Sequence, residues 1–416
     1  MRIKGDIRPP GDKSITHRSL IIGSLAHGET LIIRPLKSKD ILSTVSAIQR
    51  LGIDVDTNNE EIWKVHGGRT REPDDVIDAG NSGTTARLIT GVLASIEGVS
   101  IITGDSSLKK RPMERIIEPL TLMGASIMAR GGRFLPLAVK GNRLKGVSYS
   151  TKVASAQVKS AILLAGLAAE GITEVIEPAK SRDHTERMLA YLGASLKIDG
   201  NRVVLKGQQR LSGREIHIPS DPSSSAFPAV WAAATDGSEL IIRDICINPT
   251  RIGFIDVLKR MGADIKIVNT RYSSGEKIGD MVVKGRRMRS TVMEGVEIPG
   301  IIDEIPILSV AAAFADGETI IRDAGELRVK ETDRIAAVVE GLKALGGNVD
   351  AMEEGMIIKG PMRLHSGNVK TFGDHRIAMA FYILSKVADI DINLDDMECV
   401  DVSYPGFFKA MEALSD

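Results

Sequence analysis

Apolar residues along the chain gather into runs of helical length that end at a turn residue and re-enter an alternating, strand-like pattern. The junction recurs at LAHGETLII, LASIEGVSII, LAAEGITEVI, AATDGSELII and AFADGETIIR, with a degenerate copy at SKVADIDINL. Its turn residues are Gly28, Gly98, Gly171, Gly237, Gly317 and Asp389, separated by 70, 73, 66, 80 and 72 positions. A second series runs in step with the first: RLGIDVD, LMGASIM, YLGASLK, RMGADIK and ALGGNVD. Each of these ends an apolar helix on a Gly suited to the left-handed cap and then alternates. Two markers in register over most of the chain define a repeat, and each copy is predicted to hold two helices and several strands. Three copies per half predict two similar lobes, residues 13–219 and residues 1–12 plus 220–416, with the chain crossing near Pro10 to Lys13 and again near Ile218 to Ser223.

The polar residues follow the same register. Lys13, Asn81, Ser155, Asp221, Asp303 and His375 precede the six turn residues by 15, 17, 16, 16, 14 and 14 positions. Every copy therefore opens its apolar helix with its most unusual polar residues. Helix N-termini expose unpaired amides and partial positive charge, so several of them aimed at one cleft between the lobes would form an anion receptor.

Composition narrows the partners. The 54 basic residues equal the 54 acidic ones, so no overall field favours nucleic acid or an acidic membrane, and an anion site must be built locally. With aromatics at 4%, stacking platforms for single-stranded nucleic acid are not expected. Cys246 and Cys399 are too few and too far apart for a disulfide framework or a cysteine-rich zinc site, which fits a reducing cytosol. Apolar runs such as 162–169 fall short of the ~20 residues of a membrane span, and the opening MRIKGDIRPP leads to no secretion signal or transit peptide. At 416 residues the chain exceeds the usual single-domain size.

Several clusters carry candidate chemistry. PPGDKSITHRS sets Lys13, Ser14 and Arg18 around one helical turn, a pair of cations and a hydroxyl suited to phosphate. It is not a Walker A loop, because Asp12 precedes the Lys where that loop needs Gly. AGNSGTTAR is a Gly-rich helix start, with Gly80 and Gly83 allowing amides close to a ligand and Thr84 or Thr85 as the expected cap. LKKRPMER supplies Arg111 before a Pro, and VASAQVKSA and KSRDHTER offer Ser155, Gln157, Ser181 and Arg182, with His184 read as structural. IIDEIP sets Asp303 and Glu304 between apolar residues, an environment that raises a carboxylate toward general-base strength. RVKETDR spaces Lys330, Glu331 and Arg334 for helical pairing, and FGDHRIAMAF brings Asp374, His375 and Arg376 to a helix start. No metal-ligand spacing such as HExxH occurs, so no metal is expected.

Taken in order, PGDKSITHR, GNSGTTAR, RPM, SAQVKSA, SRDHTE, RVKETDR and GDHRIAM resemble the 5-enolpyruvylshikimate-3-phosphate synthase family of enolpyruvyl transferases, and the likeness spans the chain. The resemblance implies an α/β fold of two similar domains, each of three βαβαββ units in an inside-out α/β barrel. An active site in the interdomain cleft would close by induced fit over shikimate 3-phosphate and phosphoenolpyruvate. Carried over by position, Lys13, Ser14, Arg18, Ser155, Gln157, Arg182, Asp303 and Lys330 hold shikimate 3-phosphate, with Ala156 contributing its backbone. Phosphoenolpyruvate meets Lys13, the loop from Asn81 to Gly83, Arg111, Gln157, Arg334 and Arg376. Asp303 accepts the proton of the 5-hydroxyl, Glu331 with Lys13 protonates the methylene, and a tetrahedral adduct expels phosphate. The implied enzyme is a cytoplasmic monomer of chorismate and aromatic amino acid biosynthesis, without metal or organic cofactor and without a membrane or nucleic-acid partner.

The chain departs from the best-known bacterial pattern at Val402, where that pattern has Lys, at Glu326, where Asn is common, and at Ala156, which replaces Ser. These changes resemble the branch known for tolerance of glyphosate, although Gly83 keeps the space that a tolerant relative fills with Ala. Two rivals stand beside this reading. The sister enzyme that uses UDP-N-acetylglucosamine usually needs a Cys in the loop that here contains RPM and no Cys, and a non-catalytic anion-binding repeat protein leaves Asp303 and Glu331 without a role.

Overall fold

The computed structural model describes residues 2–414; Met1, Ser415 and Asp416, which fall within the expected C-terminal lobe, lie outside the described residues. The repeat is visible in full in one stretch. Strand Ile77–Asp78 leads through helix Gly83–Leu93 to strand Gly98–Thr103, then through helix Glu114–Leu122 to strands Ser126–Arg130 and Phe134–Gly141. The leading strand runs parallel to the second and the last two form a hairpin, of which Phe134–Gly141 pairs antiparallel with Gly98–Thr103. This is a βαβαββ unit whose crossover helix joins two parallel neighbours. Among the described residues, five four-stranded sheets follow this order and a sixth sheet has two strands.

Two copies borrow their leading strand from far along the chain. Glu215–His217 lies parallel to Gly28–Ile33, and Lys4–Ile7 lies parallel to Glu239–Cys246. The chain accordingly divides into two compact units, one of Gly11–Ile218 with Tyr272–Glu276, the other of Pro219–Arg271, the stretch up to Pro10 and everything from Lys277 onward.

Each unit keeps its crossover helices inside. They are α1 (Lys13–Leu25), α2 (Gly83–Leu93) and α3 (Ala156–Ala168) in one unit, and α4 (Pro222–Ala234), α5 (Ile305–Ala313) and α6 (His375–Ala388) in the other. Helix α5 is buried end to end and α4 everywhere except Ala234, as an apolar surface on all faces requires. In the second unit α4, α5 and α6 pack on one another; in the first α2 packs along α3. Their approach is close, since a Cβ at Gly91 would stand 2.8 Å from the Ala161 Cα. The sheets lie outside these helices, and Gly28–Ile33 buries Thr30 and Ile32 while exposing Glu29.

Both marker series have a backbone cause. Gly52, Gly124, Gly193, Gly262 and Gly346 take φ between 82° and 116°, and the first series is positive at every position through Asp389 at 55°. A side chain at such a φ is strained, so a chain that must leave a helix this way keeps Gly, or Asp in the sixth copy.

That sixth copy departs from the expected βαβαββ pattern. Strand Ile392–Leu394 pairs with Gly367–Val369, but the chain continues into a short 3-10 turn, Glu398–Val402, and helix Phe407–Glu412 instead of a hairpin. The tail does not alternate; it buries Phe407, Met411 and Leu414, with the Tyr404 and Phe407 rings edge to face at 5.2 Å. No helix among the described residues is long and apolar enough to cross a membrane.

Candidate active site

At the start of α1, Asp12 caps the helix through the Ile15 amide at 2.8 Å. The next residue, Lys13, is partly exposed and reaches Asp40 Oδ2 at 2.6 Å. One turn on, Arg18 is buried, and its guanidinium donates to Thr185 Oγ1 at 2.7 Å, Ser160 Oγ at 2.9 Å and the Ser14 carbonyl at 3.0 Å. His17 is also buried: burial first, then the charges of Lys13 and Arg18, hold its pKa well below the ordinary value. Its Nδ1 pairs with Thr44 Oγ1 at 2.7 Å, which meets Thr85 Oγ1 at 2.6 Å.

Helix α2 is capped by Ser82, whose hydroxyl accepts from the Thr85 amide, rather than by the expected Thr84 or Thr85. Asn81 is held on both sides, donating to Asp105 Oδ2 at 2.7 Å and accepting from Arg111 Nη2 at 3.0 Å. Gly83 opens the helix against Arg87, and a Cβ there would lie 2.7 Å from Arg87 Nη1. Arg87 itself donates to Gln157 Oε1 at 2.7 Å and to the Pro112 carbonyl at 3.1 Å. Gln157 in turn donates to Thr84 Oγ1 at 3.0 Å, so the starts of α2 and α3 are tied together.

Ser155 caps α3 and Ala156 is its first residue. Arg182 is half-buried in the loop before helix His184–Tyr191. His184 is buried and pairs with Glu276 at 2.6 Å. Lys13, Arg18, Arg87, Arg111 and Arg182 all belong to this unit, and Lys13 meets Asp40. Guanidinium and ammonium groups of this kind suit small anions through charge-assisted bonds.

The other unit gathers the remaining candidates around one guanidinium. Arg334, the first residue of helix Arg334–Ala344, is buried and donates to Glu331 Oε2 at 2.7 Å, Asp374 Oδ2 at 2.8 Å and Asp303 Oδ1 at 3.3 Å. Burial alone would lower its pKa, but Asp374, Glu331 and Asp303 outweigh that and raise it. Asp303 also lies 3.5 Å from Lys330 Nζ and 3.9 Å from Arg376 Nη2, and its carbonyl accepts from Arg376 Nη1 at 3.0 Å. Asp303 is thus set among cations, not in the apolar surroundings that its sequence neighbours suggest. The apolar flanks Ile301 and Ile305 are themselves buried in the core. Its neighbour Glu304 is buried, accepts from the Ser223 hydroxyl and lies 3.9 Å from Arg376 Nη1.

Glu331 and Asp303 therefore approach one guanidinium at Nη2 and Nη1, and the four carboxylates Asp303, Glu304, Glu331 and Asp374 are set among Lys330, Arg334 and Arg376. Carboxylates held in this way by charge-assisted bonds are suited to moving protons between oxygens.

The model of the family EPSP synthase (3-phosphoshikimate 1-carboxyvinyltransferase) matches residues 1–411. The chain belongs to the EPSP synthase family. It is 47% identical over 417 residues to the 3-phosphoshikimate 1-carboxyvinyltransferase of Geobacter metallireducens, covering 99% of this chain and 97% of that protein. It is also 47% identical to the enzyme of the same name from Desulforudis audaxviator, over 416 residues. A solved EPSP synthase from Acinetobacter baumannii superposes with a TM-score of 0.89 at 41% identity, covering 99% of this chain and 96% of that one. The chain is thus an enzyme of the shikimate-pathway transferases, and enolpyruvyl transfer is the activity this membership supports.

Two departures from the family's best-known pattern have a place in the fold: Val402 ends the 3-10 turn Glu398–Val402, and Glu326 lies in the 3-10 turn Gly325–Val329. In the sequence Asp374 stands out only as part of a helix start, and Arg87 does not stand out as a site residue. The one local signal for Arg87 was its place four residues after Gly83, on the same helix face.

Proposed function

We propose that the chain transfers the enolpyruvyl group of phosphoenolpyruvate to the 5-hydroxyl of shikimate 3-phosphate by addition and elimination through a tetrahedral intermediate. Lys13, Ser14, Arg18, Ser155, Gln157, Arg182, Asp303 and Lys330, with the Ala156 backbone, would hold the acceptor. Lys13, Asn81, Gly83, Arg111, Gln157, Arg334 and Arg376 would hold phosphoenolpyruvate. In the addition Asp303 takes the hydroxyl proton as the oxygen attacks C2 of phosphoenolpyruvate, and Glu331, with Lys13, delivers a proton to the methylene carbon. In the elimination a methyl proton returns to a base and the C–O bond to phosphate breaks, restoring the double bond and releasing inorganic phosphate.

The observation that carries this reading is the sharing of Arg334 by Glu331 at 2.7 Å and Asp303 at 3.3 Å. A single buried cation fixes the donor and the acceptor of the two proton transfers, which is the positioning that acid–base catalysis requires. The remaining cations match two multiply charged anions through charge-assisted bonds. We place the enzyme in the cytoplasm, where its two buried thiols, Cys246 and Cys399, stay reduced, and read it as a monomer that works without metal or organic cofactor.

The purified protein, given phosphoenolpyruvate, is expected to release inorganic phosphate with shikimate 3-phosphate and not with UDP-N-acetylglucosamine as acceptor. Release with the nucleotide sugar alone would move the chain to the sister activity, and release with neither would remove the assignment.

A further inference from the structure

Behind the residues assigned to the acceptor lies a buried ionic triad. Lys159, on the second turn of α3, puts its ammonium 2.6 Å from Glu177 Oε2 and 2.7 Å from Glu186 Oε1, and all three side chains are about 1% exposed. A bare charge at such a site is costly, and a triad of this kind adds little stability over apolar side chains of the same volume. Its placement points to another use.

Each arm of the triad is linked through a neighbour to a residue assigned to the acceptor. Lys159 follows Ser155 by one turn, its amide bonded to the Ser155 carbonyl at 3.0 Å, and adjoins Ser160. Glu186 adjoins Thr185, and Ser160 and Thr185 meet at 2.6 Å and both accept from Arg18. Glu177 closes strand Ile172–Ile176 and accepts from the Ser181 amide at 3.4 Å, directly before Arg182. Three segments, namely α3, the 177–182 loop and helix His184–Tyr191, are therefore pinned together at one ammonium. Burial raises the pKa of Glu186 against the pull of Lys159, while Glu186 and Glu177 hold Lys159 in its charged form despite burial.

We propose that Lys159 is a positioning residue for the shikimate 3-phosphate subsite, fixing Ser155, Arg182 and Arg18 through Glu177 and Glu186. This rests on the substrate assignment above. Those three side chains were assigned to the acceptor alone, whereas Gln157, on the first turn of α3, is held independently by Arg87 and Thr84. The triad consequently governs one substrate and not the other.

The test compares the wild type with the charge-neutral triple variant Lys159→Met, Glu177→Gln, Glu186→Gln and with Glu177→Gln alone, which keeps the Lys159–Glu186 pair. The triple variant is expected to raise the KM for shikimate 3-phosphate about 10-fold or more, with kcat and the KM for phosphoenolpyruvate changed less than about 3-fold. Glu177→Gln should raise the same KM by about 3-fold. Should the triple variant fail to fold, the single variant decides. An unchanged acceptor KM in a folded variant, or an equal rise in both KM values, overturns the proposal. A wild type that releases no phosphate with shikimate 3-phosphate would instead overturn the substrate assignment on which it stands.

Discussion

Arg334 donates its Nε to Asp374 at 2.8 Å, and both side chains are shut away from solvent. Asp374 does double duty, because the same carboxylate caps α6 through the Arg376 amide at 2.9 Å. One buried aspartate therefore orients the guanidinium that holds Glu331 and Asp303 and also starts the helix that carries Arg376. Asp374→Ala is expected to cost about 3 kcal/mol, the low end for breaking a buried ion pair, because Arg334 loses one of three carboxylates and α6 loses its cap. It should also lower kcat by about 10-fold or more, because Arg334 keeps only Glu331 and Asp303 to orient it. Urea unfolding and steady-state kinetics check the two effects; stability and kcat both within error of the wild type would refute the coupling.

Arg87 is the residue that the sequence did not reveal. By holding Gln157 and the Pro112 carbonyl and filling the space beside Gly83, it shapes the loop assigned to phosphoenolpyruvate. Arg87→Met is expected to raise the KM for phosphoenolpyruvate about 10-fold, and the acceptor KM by a smaller factor because Gln157 serves both substrates. The opposite split, measured by varying each substrate in turn, would contradict this placement.

His17 gives the fold a predictable response to acid. Its pKa in the folded chain lies well below the ordinary value, chiefly through burial, so below the unfolded-state value of about 6.5 the unfolded chain binds the extra proton. Stability is full above that pH and falls as pH drops beneath it, by up to about 1.4 kcal/mol per pH unit until the folded-state pKa is reached. Denaturant unfolding between pH 7.5 and 5.5 should show this slope in the wild type and a shallower one in His17→Gln. Equal slopes would mean that His17 is not held neutral.

Much of the fold was legible because its punctuation is a backbone requirement. A chain that leaves a helix at φ near 100°, as at Gly193 and Gly262, restricts the residue type, and the restriction recurs with the repeat. The polar helix starts were legible for a similar reason, since caps such as Asp12, Ser155 and Asp374 are local signals. What the sequence could not show is tertiary. Asp303 reads as apolar because Ile302 precedes it and Ile305 follows two residues on, yet Lys330 and Arg334 arrive from the second half of the same copy and Arg376 from the next one. The Lys159 triad joins α3 to Glu177 and Glu186, and no spacing rule links those positions. The sixth copy lost its hairpin to aromatic packing around Phe407, a choice set by the rings that it meets and not by any pattern of alternation.

Glu331 and Asp303, held on one guanidinium, are the proposed acid and base of enolpyruvyl transfer. The rate of phosphate release from phosphoenolpyruvate and shikimate 3-phosphate in Glu331→Gln and Asp303→Ala, each checked for folding by circular dichroism, decides that assignment. The predicted result is a folded protein at least roughly 10²-fold slower than the wild type in both cases. Near-normal phosphate release from either folded variant would remove that residue from the chemistry.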